Sequence, residues 1–151
     1  MSSSGPARNW EKDFLINELG FNQYKNTALF IKTNTLLYSP SVANKYNWFD
    51  LKEGNLEILD SKKYDNLFIL LRLVNLNSFA LLKYSEMLII VGDKYRINKQ
   101  GEKVWGFKYK VNAGGIYIWN IRNSSNKIYT EILNKAQAKT MLSTQMQNNN
   151  K

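Results

Sequence analysis

The sequence predicts an α+β fold in a single domain, with a mainly antiparallel twisted sheet, an N-terminal helix and a second helix near the C-terminus. Short apolar segments bounded by Asn, Ser, Gly or Asp recur through the middle of the chain, and the links between them are short. Such links favour antiparallel pairing, because a parallel crossover takes a dozen residues or more. With 151 residues, 44% of them hydrophobic, the chain is long enough to bury one core.

The first predicted element is an amphipathic helix from Asn9 to Gly20. Asn9 suits the N-cap and Gly20 suits the stop, and the residues between them place an apolar stripe on one side. That stripe consists of Trp10, Phe14, Leu15 and Leu19. We expect this helix to cover one face of the sheet. A second helix is predicted from Tyr129 to about Leu142.

The strands are predicted from short apolar runs in the region between the two helices. They are Ala28–Lys32, Leu36–Tyr38, Trp48–Lys52, Leu56–Asp60, Leu67–Leu73, Phe79–Lys83, Met87–Val91, Val104–Val111 and Ile116–Ile121. Turns are predicted at Gly54-Asn55, Gln100-Gly101, Gly114-Gly115 and Asn123 to Asn126. We expect residues 1–8 to be a flexible leader or tag remnant, 9–142 the globular domain and 143–151 a flexible tail.

The composition excludes several kinds of active site. The chain has no histidine and no cysteine, so a Ser-His-Asp triad, a cysteine nucleophile and an ordinary zinc site are ruled out. Lys and Arg outnumber Asp and Glu by 21 to 12, and the net charge of +9 favours a polyanionic partner. No run of 18 apolar residues predicts a membrane span. The lack of cysteine suits a cytoplasmic protein.

The segment from Gly92 to Val111 is predicted as a basic, aromatic two-stranded ribbon. Strand alternation places Trp105, Phe107 and Tyr109 on one side and Lys108 and Lys110 on the other. Such a ribbon can track phosphates, and aromatic rings that stay exposed can stack on unpaired bases. The candidate nucleic-acid-binding residues are Lys94, Arg96, Lys99, Lys103, Lys108 and Lys110. The alternative is an ordinary half-buried strand whose lysines are only solvated.

The segment from Asn47 to Lys63 is predicted as a hairpin that turns at Gly54-Asn55 and carries acidic and basic side chains. It resembles the active-site hairpin of the PD-(D/E)XK nucleases, which include restriction and homing endonucleases. In that family an Asp on one strand and an acid-x-Lys element on the next hold Mg²⁺ beside the scissile phosphate. The resemblance implies a catalytic role for Asp50, Asp60 and Lys62, with Asp50 and Asp60 as Mg²⁺ ligands.

A second mapping takes Asp50-Leu51-Lys52 as the acid-x-Lys element, with Glu57 on the facing strand. In either mapping Glu11 could add a third acid, since some members of that family carry one on their first helix. The structural alternative is a solvent-facing hairpin with a Lys52–Glu57 cross-strand pair.

These observations lead to three functional hypotheses. The first is a Mg²⁺-dependent DNA endonuclease that acts as a homo-oligomer, because cutting both strands with one small active site calls for two copies. The second is a non-catalytic module that binds DNA or RNA through the same basic surface. The third is a protein-interaction or inhibitor domain whose basic face meets an acidic partner.

Overall fold

Three layers form the fold in the computed structural model, which describes residues 6–61, 63–92, 97–99 and 101–149. A five-stranded sheet, the outer sheet, packs on a six-stranded sheet, the inner sheet. The other face of the inner sheet packs against the N-terminal segment and the C-terminal helix, which together we call the terminal helical layer. The predicted α+β class with mainly antiparallel strands is confirmed.

The inner sheet contains β1 (Asn22–Gln23), β2 (Leu29–Lys32), β3 (Thr35–Tyr38), β4 (Ser41–Val42), β6 (Asn66–Leu73) and β7 (Ser78–Lys83). The outer sheet contains β5 (Trp48–Lys52), β8 (Ile97–Lys99), β9 (Glu102–Asn112), β10 (Gly115–Asn120) and β11 (Asn123–Glu131). The helices are α1 (Pro6–Asn9), α2 (Glu53–Leu59), α3 (Tyr84–Val91) and α4 (Lys135–Asn149). Phe14–Glu18 form a π-helical turn and Val74–Leu76 a 3-10 turn.

The inner sheet contains parallel pairs beside its antiparallel ones. β3 and β4 both run parallel to β6, and the register is the same on either side of Ser39 and Pro40. Pro40 has no N–H to donate and interrupts the strand, while its carbonyl accepts from the N–H of Arg72 at 3.0 Å. The chain between β4 and β6 holds β5 and α2, which makes it long enough for a parallel crossover.

Burial differs between the two sheets. In the inner sheet, one side of β3 and β6, with Leu36 and Ile69, packs toward the outer sheet. The other side, with Leu37 and Phe68, packs toward the terminal helical layer. A sheet covered on both faces needs nearly continuous apolar strands, and β6 is buried at almost every position. The strands of the outer sheet alternate instead, as β5 and β10 show.

The two sheets are joined at both sides. On one side, the hydroxyl of Tyr38 in β3 donates to the backbone carbonyl of Asp50 in β5. On the other side, Leu133, which follows β11, exchanges backbone hydrogen bonds of 2.8 and 2.7 Å with Phe79 in β7. The hydroxyl of Thr130 also donates to the carbonyl of Leu81 at 3.1 Å. The first link holds the edge strand β5 close to the inner sheet, and the other two hold β11 and the residues after it against β7.

Two predicted strands are wrong, because Leu56–Asp60 and Met87–Val91 lie largely in α2 and α3. Each helix begins directly after a strand and packs its buried residues into the core between the two sheets. Tyr84, Met87 and Ile90 are buried at helical spacing. The α3 start is fixed by Glu86, whose side chain accepts from the N–H of Lys83 at 2.8 Å. A short apolar run does not by itself separate a strand from a helix.

The predicted N-terminal helix is interrupted. α1 ends at Asn9, Glu11 has a φ of 55°, and the chain then forms the π-helical turn. The guanidinium of Arg72 donates to the carbonyls of Arg8 and Trp10, at 3.2 and 2.7 Å. These two carbonyls therefore face Arg72 instead of following the axis of a continuous helix. The predicted apolar stripe still packs on the inner sheet, with Phe14, Leu15 and Leu19 buried.

The C-terminal helix begins later than predicted, because Tyr129–Glu131 belong to β11. Asn134 and Gln137 cap its start through reciprocal bonds of 2.9 and 2.8 Å, and the helix runs on to Asn149. The predicted turn at Asn123 to Asn126 is also misplaced, since β11 already begins at Asn123.

Removing the ring of Phe79 tests the packing of the terminal layer on the inner sheet. Phe79 is buried, and its ring centroid lies 5.4 Å from that of Trp10 and 5.3 Å from that of Phe14. We expect Phe79→Ala to lower the free energy of unfolding by about 3–5 kcal/mol in urea denaturation. The control Ile89→Ala removes a side chain that is 59% exposed, and should change it by less than about 0.5 kcal/mol. Similar small losses in both variants would contradict this packing.

Candidate nucleic-acid interface

A row of alternating aromatic and basic side chains crosses the solvent side of the outer sheet. Directly paired residues on β5, β9, β10 and β11 make up this row: Trp48, Lys108, Trp119 and Lys127. Directly paired residues share one side of a sheet, so these side chains project together. The Nζ atom of Lys127 lies 5.3 Å from the centre of the Trp119 ring, within range of a cation–π contact.

A second row lies two residues further along the same strands. It contains Lys110, Tyr117 and Tyr129, paired directly across β9, β10 and β11. The two tyrosine rings meet edge to face, with centroids 5.1 Å apart, and are 36% and 45% exposed. We call the two rows together the outer face. Every charged side chain in them is a lysine.

The aromatic surface continues beyond β5. Tyr46 stacks on Trp48 with ring centroids 4.9 Å apart and an interplanar angle of 27°. The Nζ atom of Lys45 lies 5.1 Å from the centre of the Tyr46 ring. The two rings are 49% and 45% exposed, which is a large apolar surface to leave in water.

The backbone under the outer face is shaped by Gly115. A Cβ at this position would lie 2.6 Å from the carbonyl oxygen of Thr130 and would overlap the hydroxyl of Tyr129. The absence of a side chain therefore lets the Tyr129 ring lie over β10. Its hydroxyl reaches the carbonyl of Ala113 at 3.5 Å.

The predicted basic residues do not all lie on the outer face. Lys108 and Lys110 do, and the buried Trp105, Phe107 and Tyr109 face inward, as strand alternation predicts. Lys103 lies on the same side of β9 as Trp105, opposite to Lys108, and Lys99 is in β8. Lys94 and Arg96 lie outside the described residues.

Four aromatic residues of the outer face were not predicted as binding residues from the sequence: Trp48, Tyr117, Trp119 and Tyr129. A signal for two of them was present, because Ile116, Tyr117, Ile118 and Trp119 alternate between aliphatic and aromatic side chains. In a half-buried strand that alternation places the aliphatic residues inward and the aromatic ones outward. Their positions opposite Lys108 and Lys110 required the strand register.

The predicted catalytic hairpin does not form. β5 continues directly into α2, and Gly54 and Asn55 lie in the first turn of that helix. Asp60 follows the end of α2, where its carboxylate accepts from the hydroxyl of Tyr84. Burial, this hydrogen bond and the charge of Asp60 raise the pKa of Tyr84. Lys62 lies outside the described residues.

The structure separates Glu11 and Asp60 from Asp50 and Lys52. Glu11 forms an ion pair of 2.9 Å with Lys135, next to the terminal helical layer. Asp50 and Lys52 share one side of β5 and both line a cleft, whereas Asp60 is not among the residues that line it. Lys52 lies 3.5 Å from Glu102 in a largely exposed ion pair, which contributes little stability.

The two expected Mg²⁺ ligands, Asp50 and Asp60, belong to different elements of the fold. The described residues contain no group of three or more His, Cys, Asp or Glu that could hold a metal ion. Asp50 lies within β5, whereas Asp60 follows the end of α2 and accepts a hydrogen bond from Tyr84. The Mg²⁺ site and the endonuclease activity therefore stay predictions from the sequence.

The cleft that Asp50 and Lys52 line lies beside β5 and has a volume of about 410 Å³. Tyr38 and Arg72 contribute to its walls, and both are buried. Burial, followed by the nearby charge of Asp50, raises the pKa of Tyr38, so it is protonated at neutral pH. Burial lowers the pKa of Arg72 to about 10, which still leaves its guanidinium charged.

Comparison with protein-family models, with curated proteins and with solved structures finds no match to this chain. Among the helices that the structure describes, none is long and apolar enough to cross a membrane. The site must therefore be interpreted from its own chemistry.

Adding a methyl group to Gly115 tests the position of Tyr129. We expect Gly115→Ala to lower the free energy of unfolding by about 1–3 kcal/mol, because the Thr130 carbonyl is fixed in the β10–β11 ladder. Gly54→Ala is the matched control, since a Cβ there meets nothing within 4 Å. It should leave stability unchanged or raise it by up to about 1 kcal/mol. Equal stability of the two variants would contradict the arrangement of this face.

Proposed function

We propose that this chain binds single-stranded nucleic acid on the outer face. The observation that carries the proposal is the row of Trp48, Lys108, Trp119 and Lys127. Single-strand binding combines aromatic rings, on which bases stack, with cations that follow the phosphates. The net charge of +9 supports the same class of partner.

The exposed rings favour a single strand over a duplex. Duplex DNA presents phosphates and groove edges to a protein. Because its bases are stacked on one another, they have no free face that could stack on an exposed aromatic ring. The unpaired bases of a single strand have free faces, and Tyr117 and Tyr129 offer exposed rings in the second row. We therefore propose a single strand as the partner, in place of the duplex DNA that was predicted from the sequence.

The size of the outer face suits a short stretch of nucleotides. Neighbouring strands in a sheet are about 4.8 Å apart, so the row from β5 to β11 spans roughly 14 Å. Four-stranded sheets that bind RNA stack two or three bases over a similar width. The lysines between the rings are then placed to meet the phosphates that join those bases.

Fluorescence anisotropy with labelled oligo(dT) of about 12 nucleotides tests the proposal. Trp119→Ala should weaken binding roughly 5- to 150-fold, the loss of about 1–3 kcal/mol expected for one stacked base. Met141→Ala is the control, because it removes a partly exposed apolar side chain from α4, on the opposite side of the inner sheet. Unlabelled oligo(U) and a duplex serve as competitors, and the duplex should compete less well.

The lysines are tested in the same assay through its salt dependence. Lys108→Ala and Lys110→Ala should each reduce the slope of log K against log[salt] by about 0.7, and Lys139→Ala on α4 should leave the slope unchanged. The proposal is rejected if the wild-type chain does not bind the oligonucleotide, or if Trp119→Ala binds it as tightly as the wild type. A duplex that competes as strongly as a single strand would restore the duplex hypothesis.

A further inference from the structure

The cleft beside β5 shares no lining residue with the rows of the outer face and is lined mainly by basic and polar side chains. Its charged lining residues are Arg8, Lys12, Lys52, Arg72 and Asp50. The basic groups thus outnumber the single carboxylate, and the field in the cleft is positive. Asn26, Ser41 and Asn55 add neutral polar groups to its walls.

Arg72 gives the cleft a fixed positive charge. Its guanidinium is buried and donates to the carbonyl of Ser39 at 2.8 Å and to that of Trp10 at 2.7 Å. These carbonyls satisfy its donors but carry no net charge to offset it. No carboxylate within residues 6–61, 63–92, 97–99 and 101–149 forms an ion pair with Arg72. A buried charge without a counter-ion is costly, and an anion in the cleft would reduce that cost.

The cleft is continuous with the outer face through β5. Trp48, Asp50 and Lys52 alternate along one side of this strand, so the first belongs to the outer face and the other two line the cleft. Arg8 and Lys12 approach from the N-terminal segment, whose position is fixed by Arg72. A single-stranded nucleic acid that stacks on Trp48 therefore lies next to this basic cleft.

We propose that this cleft binds a phosphoryl group. Guanidinium and ammonium groups with charge-assisted hydrogen bonds are the usual ligands of phosphate, and Arg8, Lys12 and Lys52 supply them around the buried Arg72. The group can come from inorganic phosphate or from the terminal phosphate of a strand on the outer face. The second source rests on the proposed function, whereas the first does not.

Binding of free phosphate is tested by isothermal titration calorimetry of the full chain with inorganic phosphate at constant ionic strength. The wild type should bind phosphate, and the double variant Arg8→Ala/Lys12→Ala should bind it about tenfold more weakly or worse. Both side chains lie outside the buried core, and the Arg8 carbonyl that Arg72 contacts is retained. Lys139→Ala is the control and should not change the affinity. Asp50→Asn should tighten binding, because it removes the one acidic group of the cleft.

Binding of a terminal phosphate is tested with oligo(dT) that carries either a phosphate or a hydroxyl at its 5′ end. The same comparison is made at the 3′ end. We expect one phosphorylated end to bind more tightly, and Arg8→Ala/Lys12→Ala to abolish that preference while the hydroxyl oligonucleotide still binds. The inference is overturned if the wild type binds no inorganic phosphate up to about 10 mM and shows no preference for either phosphorylated end. Binding of the hydroxyl oligonucleotide would still support the proposed function in that case, so the two failures are distinguishable.

Discussion

Burial of the inner sheet on both faces is the constraint on which the rest of the structure depends. The outer sheet covers one face and the terminal helical layer covers the other, which is why β3 and β6 are buried at almost every position. The outer sheet is therefore the one with a side exposed to solvent. Its inward side completes the core that it shares with the inner sheet. Its other side presents Trp48, Trp119 and the lysines between them. The fold thus produces one broad sheet surface that can meet a partner.

Arg72 connects this architecture to the cleft. It lies on β6, between β3–β4 and β7 in the inner sheet, and donates both to Ser39, where the β3–β4 segment is interrupted, and to the N-terminal segment. One guanidinium therefore joins the break between β3 and β4 to the N-terminal segment, from which Arg8 and Lys12 line the cleft. The same contacts leave a charge in the interior that carbonyl dipoles only partly offset. Stability of the inner sheet and the positive field of the cleft have a common origin.

Much of the fold could be predicted from the sequence, whereas the candidate site could be predicted only in part. Apolar alternation identified β5, β9 and β10 and the inward side of Trp105, because these strands are half buried. It failed for α2 and α3, where a short apolar run fits a strand or a helix equally well. The outward direction of Tyr117 and Trp119 could be predicted from the alternation in β10. Their positions beside Lys108 and Lys110 could not, because these depend on the strand pairing. The cleft joins residues distant in sequence through the contacts of Arg72, which no local pattern reveals.

The claim that a single strand lies on the outer face is tested most directly by the tryptophan indole N–H resonances in a nitrogen-15 correlation spectrum. The chain has four tryptophans, and single Trp→Phe variants assign their resonances. On titration with oligo(dT), we expect the resonances of Trp48 and Trp119 to shift and to saturate together. That of Trp105 should stay in place, because its indole N–H donates to the carbonyl of Gly92 at 2.9 Å in the interior. A bound oligonucleotide that leaves the Trp48 and Trp119 resonances unmoved would contradict the account.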